Sequence, residues 1–221
     1  MKMTKKMEKH SKAGFDRISA EKRNRILSIA VIEFANKGFD SANTNTIAQK
    51  AEISIGSLYQ YFETKEDLFL TTLNFGISQL EENLDIVLKE EADLFGKIEK
   101  ILRIIQEHSR KNQDIVRLYH EMTSESHSEI ISKLTSKMEA ISAKCYIYLI
   151  DQAKKEGLIS KKASSNIYAF LLDNIFMMLQ FSYATEYYKE RMKVFLGNDI
   201  FKRDEDVIKG IMFFIKNAFK I

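Results

Sequence analysis

Apolar residues recur at helical spacing along nearly the whole chain. Ile26, Leu27, Ala30, Val31 and Phe34 form one stripe, opened by Ser19 with Glu21 in its first turn and closed by Gly38. Two short segments follow. Asn43 suits an N-cap, because its side-chain oxygen accepts from the free N–H groups of a first turn, and Ile47, Ala48 and Ala51 then share a face. Glu52, Ile53 and Ser54 connect this helix to another that begins near Ile55, with Ser54 as its cap. Leu58, Tyr59 and Phe62 are its predicted apolar face, which leaves Ile55, Gly56, Ser57, Gln60 and Tyr61 outward. Thr64 and Asp67 make a capping box, and Leu68, Phe69 and Leu73 carry the stripe into a long helix from Lys65 towards Glu91, with Gly76 inside it.

The second half of the chain is patterned in the same way. Helices are predicted over Leu94–Arg110, with Ile98, Ile101, Leu102 and Ile105 as the stripe, over Gln113–Ser124, and over Ile130–Glu156, stopped by Gly157. Glu125–Glu129 reads as a turn. Residues 163–189 are the most apolar and aromatic stretch, and a helix of that kind needs partners on more than one side. After a loop at Gly197–Asn198–Asp199, a final helix is opened by Asp204, Glu205 and Asp206 and carries Val207, Ile208, Ile211, Met212, Phe214, Ile215 and Phe219.

Composition sharpens this picture. Proline is absent from the 221 residues and glycine numbers only 8, so helix breakers are scarce and an all-α protein without a sheet is expected. Cys145 is the sole cysteine, which excludes an intramolecular disulfide, fits a reducing compartment, and reads as a small buried hydrophobe within a helix. The N-terminus is polar and Asp173, Asn174 and Gln180 interrupt the longest apolar stretch, so neither a signal peptide nor a membrane span is expected, and the location predicted is cytoplasmic.

Chemistry narrows the function classes. His108, His120 and His127 lack metal-ligand spacing, and no glycine-rich phosphate loop, Cys–His pair or Ser–His–Asp set stands out; no enzyme, metal or cofactor is expected. Net charge is only +3, yet residues 1–70 hold 12 Lys and Arg against 9 Asp and Glu, so the whole positive excess lies at the N-terminal end. That is where attraction to phosphates would place it. Residues 1–18, with Lys2, Lys5, Lys6, Lys9, Lys12 and Arg17, read as a flexible basic arm that either follows DNA phosphates or remains a solvated tail.

A short helix, a tight turn and a second helix with a small polar N-terminal face is the helix-turn-helix arrangement, although an αα-hairpin in any helical domain has the same periodicity. The residue pattern adds to this. Gly38-Phe39 with Ile47-Ala48, then Ala51, Ile53, Ser54, Gly56, Ser57, Leu58, Tyr59, Tyr61 and Phe62, then Lys65, Glu66 and Leu68, resembles the TetR family of bacterial transcriptional regulators. Two positions depart from it. Glu52 stands where the family has glycine, suggesting a slightly different turn, and Ile55 where a polar or basic residue is common.

The resemblance implies an N-terminal helix-turn-helix domain over residues 19–64 behind the arm, and a ligand-binding and dimerisation domain over 65–221. It implies base-edge contacts from Ile55, Gly56, Ser57 and Gln60. Glycine admits a close backbone approach, glutamine donates and accepts on an adenine edge, isoleucine meets a thymine methyl, and serine is permissive. Phosphate contacts fall to Thr44, Ser54, Tyr59, Tyr61 and Lys65, with Tyr59 equally placed to be a core aromatic. A homodimer seam is implied at Ile211, Met212, Phe214, Ile215 and Phe219. An effector pocket is implied in the C-terminal domain, with Phe75, Leu102, Met122, Tyr146, Phe176, Met177 and Phe181 as lining and His120, Asp173 and Asn174 as polar anchors. Such a lining suits a bulky apolar or cationic effector. The function expected is a DNA-binding regulator, a repressor released from its operator by a small molecule; the alternative is a DNA-bound scaffold that recruits a protein and has no small-molecule ligand.

Overall fold

The computed structural model describes residues 9–124 and 129–219, and among the described residues the regular elements are all helices. The predicted turn at Glu125–Glu129, with His127, and the first lysines of the arm lie outside those residues, apart from Glu129, which opens a helix. The chain forms two compact units. The first contains residues up to Leu80 together with Arg117–Thr135, the second Glu81–Val116 together with Ser136–Ile221.

The first unit holds α1 (Ala13–Arg17), α2 (Ala20–Ser41), α3 (Thr44–Lys50), α4 (Ile55–Tyr61) and the start of α5 (Lys65–Lys89). The predicted caps form as drawn. Ser19 accepts from the Lys22 N–H, Asn43 from Asn45 and Ser54 from Ser57. Thr64 and Asp67 satisfy each other's N–H groups at 3.0–3.1 Å and so open α5. Gly38 breaks the helical path of α2 at φ 68°, as a C′ glycine does, and only the last few residues coil on beyond it. The α2 stripe is buried, and Phe34 and Phe39 both meet Phe69 of α5, at 4.8 and 5.1 Å. Glu33 is buried among them. Its carboxylate accepts from the Asn43 N–H at 3.2 Å and faces Lys50 at 4.0 Å, which pins both ends of α3 to α2.

Glu52 gives an unexpected result. It takes the left-handed conformation, φ 55°, so the turn keeps the path a glycine would give it and does not adopt a different one. Its side chain reaches Arg25 at 3.1 Å, a pair too exposed to offset much of that cost. Glu52→Gly is expected to raise stability by about 0.5–1 kcal/mol in a denaturant titration, after allowing for glycine's freer unfolded chain, and Glu52→Val to lower it.

In the second unit, α6 (Leu94–Lys111) buries Leu94, Ile98, Ile101 and Leu102 against α9 (Ser165–Ala184) and α11 (Asp204–Ala218). α7 (Gln113–Ser124) and α8 (Glu129–Lys155) intervene in sequence, and α10 (Glu186–Leu196) follows α9. A polar clasp joins three helices. Gln106 donates to the Tyr183 hydroxyl at 2.7 Å, which donates to the Asp204 carboxylate at 3.0 Å, and Arg110 donates to that carboxylate at 2.5 Å. At the opposite ends of the same helices the rings of Tyr168 and Phe219 meet at 4.8 Å, so α9 and α11 run antiparallel.

The stretch 163–189 is therefore not a single helix. At Thr185 the backbone turns extended (φ −111°, ψ 144°), and the Phe181 carbonyl accepts from both the Thr185 N–H and its hydroxyl before α10 begins. α9 is long and apolar enough to cross a membrane by composition alone, but Ala169, Leu172, Phe176, Leu179 and residues 181–184 are buried in its unit. This burial accounts for part of its apolar character; Ile167, Phe170 and Leu171 remain exposed.

Candidate nucleic-acid interface

Three devices fix α4: the Ser54 cap at its start, Leu58 and Phe62 sealed in the core, and α3 behind it. Ile55, Gly56 and Gln60 are exposed together along its outward side, and Ser57 is half-exposed with its hydroxyl 2.8 Å from that of Ser54. Nothing inside the protein requires glycine at 56. A Cβ built there meets only the Ser54 hydroxyl, at 3.8 Å, and the backbone is helical. An exposed glycine in a seven-residue helix weakens that helix, so its use points to something outside the chain that must come close.

The two tyrosines exchange the places expected of them. Tyr61 is only 9 % exposed and its ring lies tilted against that of Phe15 at 5.8 Å, whereas Tyr59 is 44 % exposed and its hydroxyl lies 3.2 Å from that of Thr44. The buried side of α4 is thus Leu58, Tyr61 and Phe62, a regular i, i+3, i+4 stripe. Tyr61 is withdrawn as a phosphate contact. Tyr59 and Thr44 stand paired at the surface, where the N-terminus of α3 adds free N–H groups to any phosphate site.

Residues 26–72 match the family model of bacterial regulatory proteins of the tetR family, and the match spans α3, α4 and their supports. This segment is a tetR-family domain. The relatives that the chain matches include transcriptional regulators and nucleoid occlusion factors. The transcriptional repressor KstR of Mycobacterium tuberculosis is 25 % identical over 157 residues, 68 % of this chain and 71 % of that one. A TetR family transcriptional regulator from Chloroflexus aurantiacus superposes with a TM-score of 0.64 at 20 % identity, covering 94 % of this chain and 97 % of the other. FadR of Bacillus subtilis, in complex with stearoyl-CoA, gives 0.66 at 15 % identity over 84 % and 95 %. At such identities the structures share the fold.

Other expectations for this chain need adjusting. The Lys65 ammonium is occupied by the Asp40 and Ala42 carbonyls, at 2.9 and 3.0 Å, and lies 5.0 Å from the Phe39 ring. Its role in the chain alone is to close the turn after Gly38. Within the stretch expected to be a flexible arm, residues 13–17 form α1, and Phe15 is buried against Tyr61 and Phe62. Sequence reasoning overlooked Phe15, although it is a lone aromatic in a basic stretch. At the C-terminus, Met212, Ile215 and Phe219 are buried within their own unit and Ile211 is half-exposed. The open face of α11 is Phe213 and Phe214, 72 % and 63 % exposed, and on α9 it is Ile167, Phe170 and Leu171.

Of the pocket candidates, Phe75, His120 and Met122 belong to the first unit and the other seven to the second. Leu102 and Phe181 are buried in the second unit, Met177 is half-exposed there, and Asn174 donates to the Phe170 carbonyl of its own helix. Tyr146 and Phe176 meet edge to face at 5.2 Å. Asp173 is one turn before Phe176 on α9, and Glu139 of α8 is close enough for its charge to act on it. Burial first, and then the charge of Glu139, push the Asp173 carboxyl up to about 6 from 3.8. A folded pKa raised in this way makes the ionised acid a liability, so stability falls as pH rises from about 4 to 6 and is level above. Asp173→Asn is expected to flatten that window in thermal melts and to add about 1–2 kcal/mol at pH 7, allowing for partial solvent screening.

Proposed function

We propose that this TetR-family DNA-binding regulator is a cytoplasmic homodimeric repressor that releases its operator when a small molecule binds the C-terminal unit. The open face of α4 carries the reading. Ile55, Gly56, Ser57 and Gln60 present a thymine-methyl contact, a close backbone approach, a permissive hydroxyl and an amide suited to adenine, with Thr44, Ser54 and Tyr59 beside them for phosphates. Two such helices, related by the two-fold axis of a dimer built on Phe170, Leu171, Phe213 and Phe214, meet half-sites about 34–36 Å apart or multiples of that spacing.

Coupling runs through α5, a continuous helix from the Thr64 capping box to Lys89, so its first turns belong to the DNA-reading unit and its last turns to the other. An effector that favours one placement of α5 changes the spacing of the recognition helices and shifts the population away from the DNA-bound form. The Tyr146–Phe176 ring pair beside Asp173 and Glu139 suits a ligand with a large apolar body or a positive charge. The stearoyl-CoA bound by the FadR relative is of the first kind. Titrating stearoyl-CoA and tetraphenylphosphonium into the protein–operator complex tests this: one of them should lower operator affinity at least about tenfold, a coupling within the usual 1–3 kcal/mol.

One observation favours the scaffold reading instead. α10 exposes Tyr187, Val194 and Phe195 on a face distinct from α9 and α11. No shift with either compound, together with retention of a protein partner that Val194→Asp abolishes, supports the scaffold.

A further inference from the structure

We propose that α1 is a specificity element of the DNA reader, in which Lys12 and Phe15 are positioning residues that hold the C-terminal end of α4, and with it Tyr59 and Gln60, in the reading orientation. The inference rests on the reading of α4 as the recognition helix. A helix of seven residues is marginal alone, and its last four carbonyls lack partners within it. Here three of the four accept hydrogen bonds. Leu58 O accepts from the Phe62 N–H at 2.9 Å, Tyr59 O from the Lys12 ammonium at 3.2 Å, and Tyr61 O from the Lys12 N–H at 2.8 Å. Gly14 lies on the side of the fourth, Gln60 O, where an added Cβ would come to 3.7 Å.

A single lysine therefore closes the end of the recognition helix with both its backbone and its side chain, and its positive charge sits where the helix dipole favours it. Phe15, 3 % exposed, fills the space beneath, its ring 4.7 Å from Phe62 and 5.8 Å from Tyr61. α1 is itself anchored to α2, because Arg23 donates to the carbonyls of Asp16 and Ile18 at 2.9 and 2.7 Å. The chain ahead of α2 thus returns to the one end of α4 that its N-cap and core residues leave open. The residues that benefit are Tyr59, whose carbonyl Lys12 holds, and Gln60, whose carbonyl faces Gly14. Both side chains point outward.

The same contacts exclude a purely electrostatic role. Phe15 carries no charge, so its loss leaves the count of phosphate contacts unchanged and alters only how α4 is held. The experiment uses the full chain and a duplex that it selects from a random pool, with a scrambled duplex as the non-specific reference. Phe15→Ala, Lys12→Met and Lys12→Arg are measured in the wild-type and Gln60→Ala backgrounds at several salt concentrations. Phe15→Ala and Lys12→Met are each expected to weaken specific binding about fivefold to tenfold, the loss typical of a helix cap, and to leave scrambled DNA within about twofold. Lys12→Arg restores the affinity. In the Gln60→Ala background the losses shrink, because the residue being positioned is gone. For Phe15→Ala the slope of log K against log salt stays at the wild-type value.

Equal losses in both backgrounds and on both duplexes overturn the proposal and reduce α1 to a general stabiliser. Should Phe15→Ala fail to fold by circular dichroism, Lys12→Met decides alone, since an exposed ammonium is not needed for the core. If the wild-type chain selects no sequence, the reading of α4 fails and the proposal with it, an outcome distinct from equal losses on a sequence that is selected.

Discussion

Phe213→Glu combined with Phe214→Glu is expected to convert the protein to monomers and to lower its affinity for a two-half-site operator about 100-fold or more. Both rings are largely exposed on α11, whereas the same helix buries Met212, Ile215 and Phe219 in its own unit. Two exposed phenylalanines, together with the exposed Ile167, Phe170 and Leu171 of α9, are more open apolar surface than a monomer usually carries. In the proposed dimer, carboxylates there would put like charges opposite each other across the two-fold axis, with little effect inside each subunit. The loss on DNA follows because each half-site must then be bound alone, without the effective concentration that a dimer supplies. Sedimentation gives the mass and a binding titration gives the affinity. A double variant that stays dimeric moves the seam elsewhere; α10, with its exposed Tyr187, Val194 and Phe195, is then the next face to test.

Gly56→Val is expected to abolish sequence-specific binding, a loss of about 100-fold, while stability changes by no more than about 0.5 kcal/mol. The two effects separate because the site is open. Position 56 is helical, its nearest neighbour would be the Ser54 hydroxyl at 3.8 Å, and a β-branched side chain therefore folds without strain while standing between α4 and a base edge. Gly56→Ala is expected to lose less. Thermal melts and binding titrations on the same preparations check both parts. A destabilised Gly56→Val protein would mean that the glycine serves the fold.

Much of the first unit was legible in the sequence because its signals are local. Asn43, Ser54 and the Thr64–Asp67 box act over three residues or fewer, and each forms the bond its type predicts. What was misread depends on distant partners. Tyr59 and Tyr61 are two residues apart on a helix of two turns, and periodicity alone does not say which is buried; Phe15, more than forty residues earlier, decides it by packing against Tyr61. Lys65 looked like a surface cation until the Gly38 turn brought the carbonyls of Asp40 and Ala42 to it. Glu52 shows the reverse case, in which an unfavourable residue is forced into the left-handed conformation because the surrounding helices fix the turn. On α11 the apolar residues were found, but a helix with phenylalanine and isoleucine around most of its circumference does not announce which side faces its own core and which faces outward.

The most direct test of base reading by α4 is a titration of the purified protein against DNA flanking its own gene, at two salt concentrations, with and without Gln60→Ala. A dimer bound to two related half-sites, weakened about tenfold or more by the substitution while its salt dependence stays the same, is the predicted result. Salt-sensitive binding without sequence preference, or a Gln60→Ala protein indistinguishable from wild type on a sequence it does prefer, would contradict it.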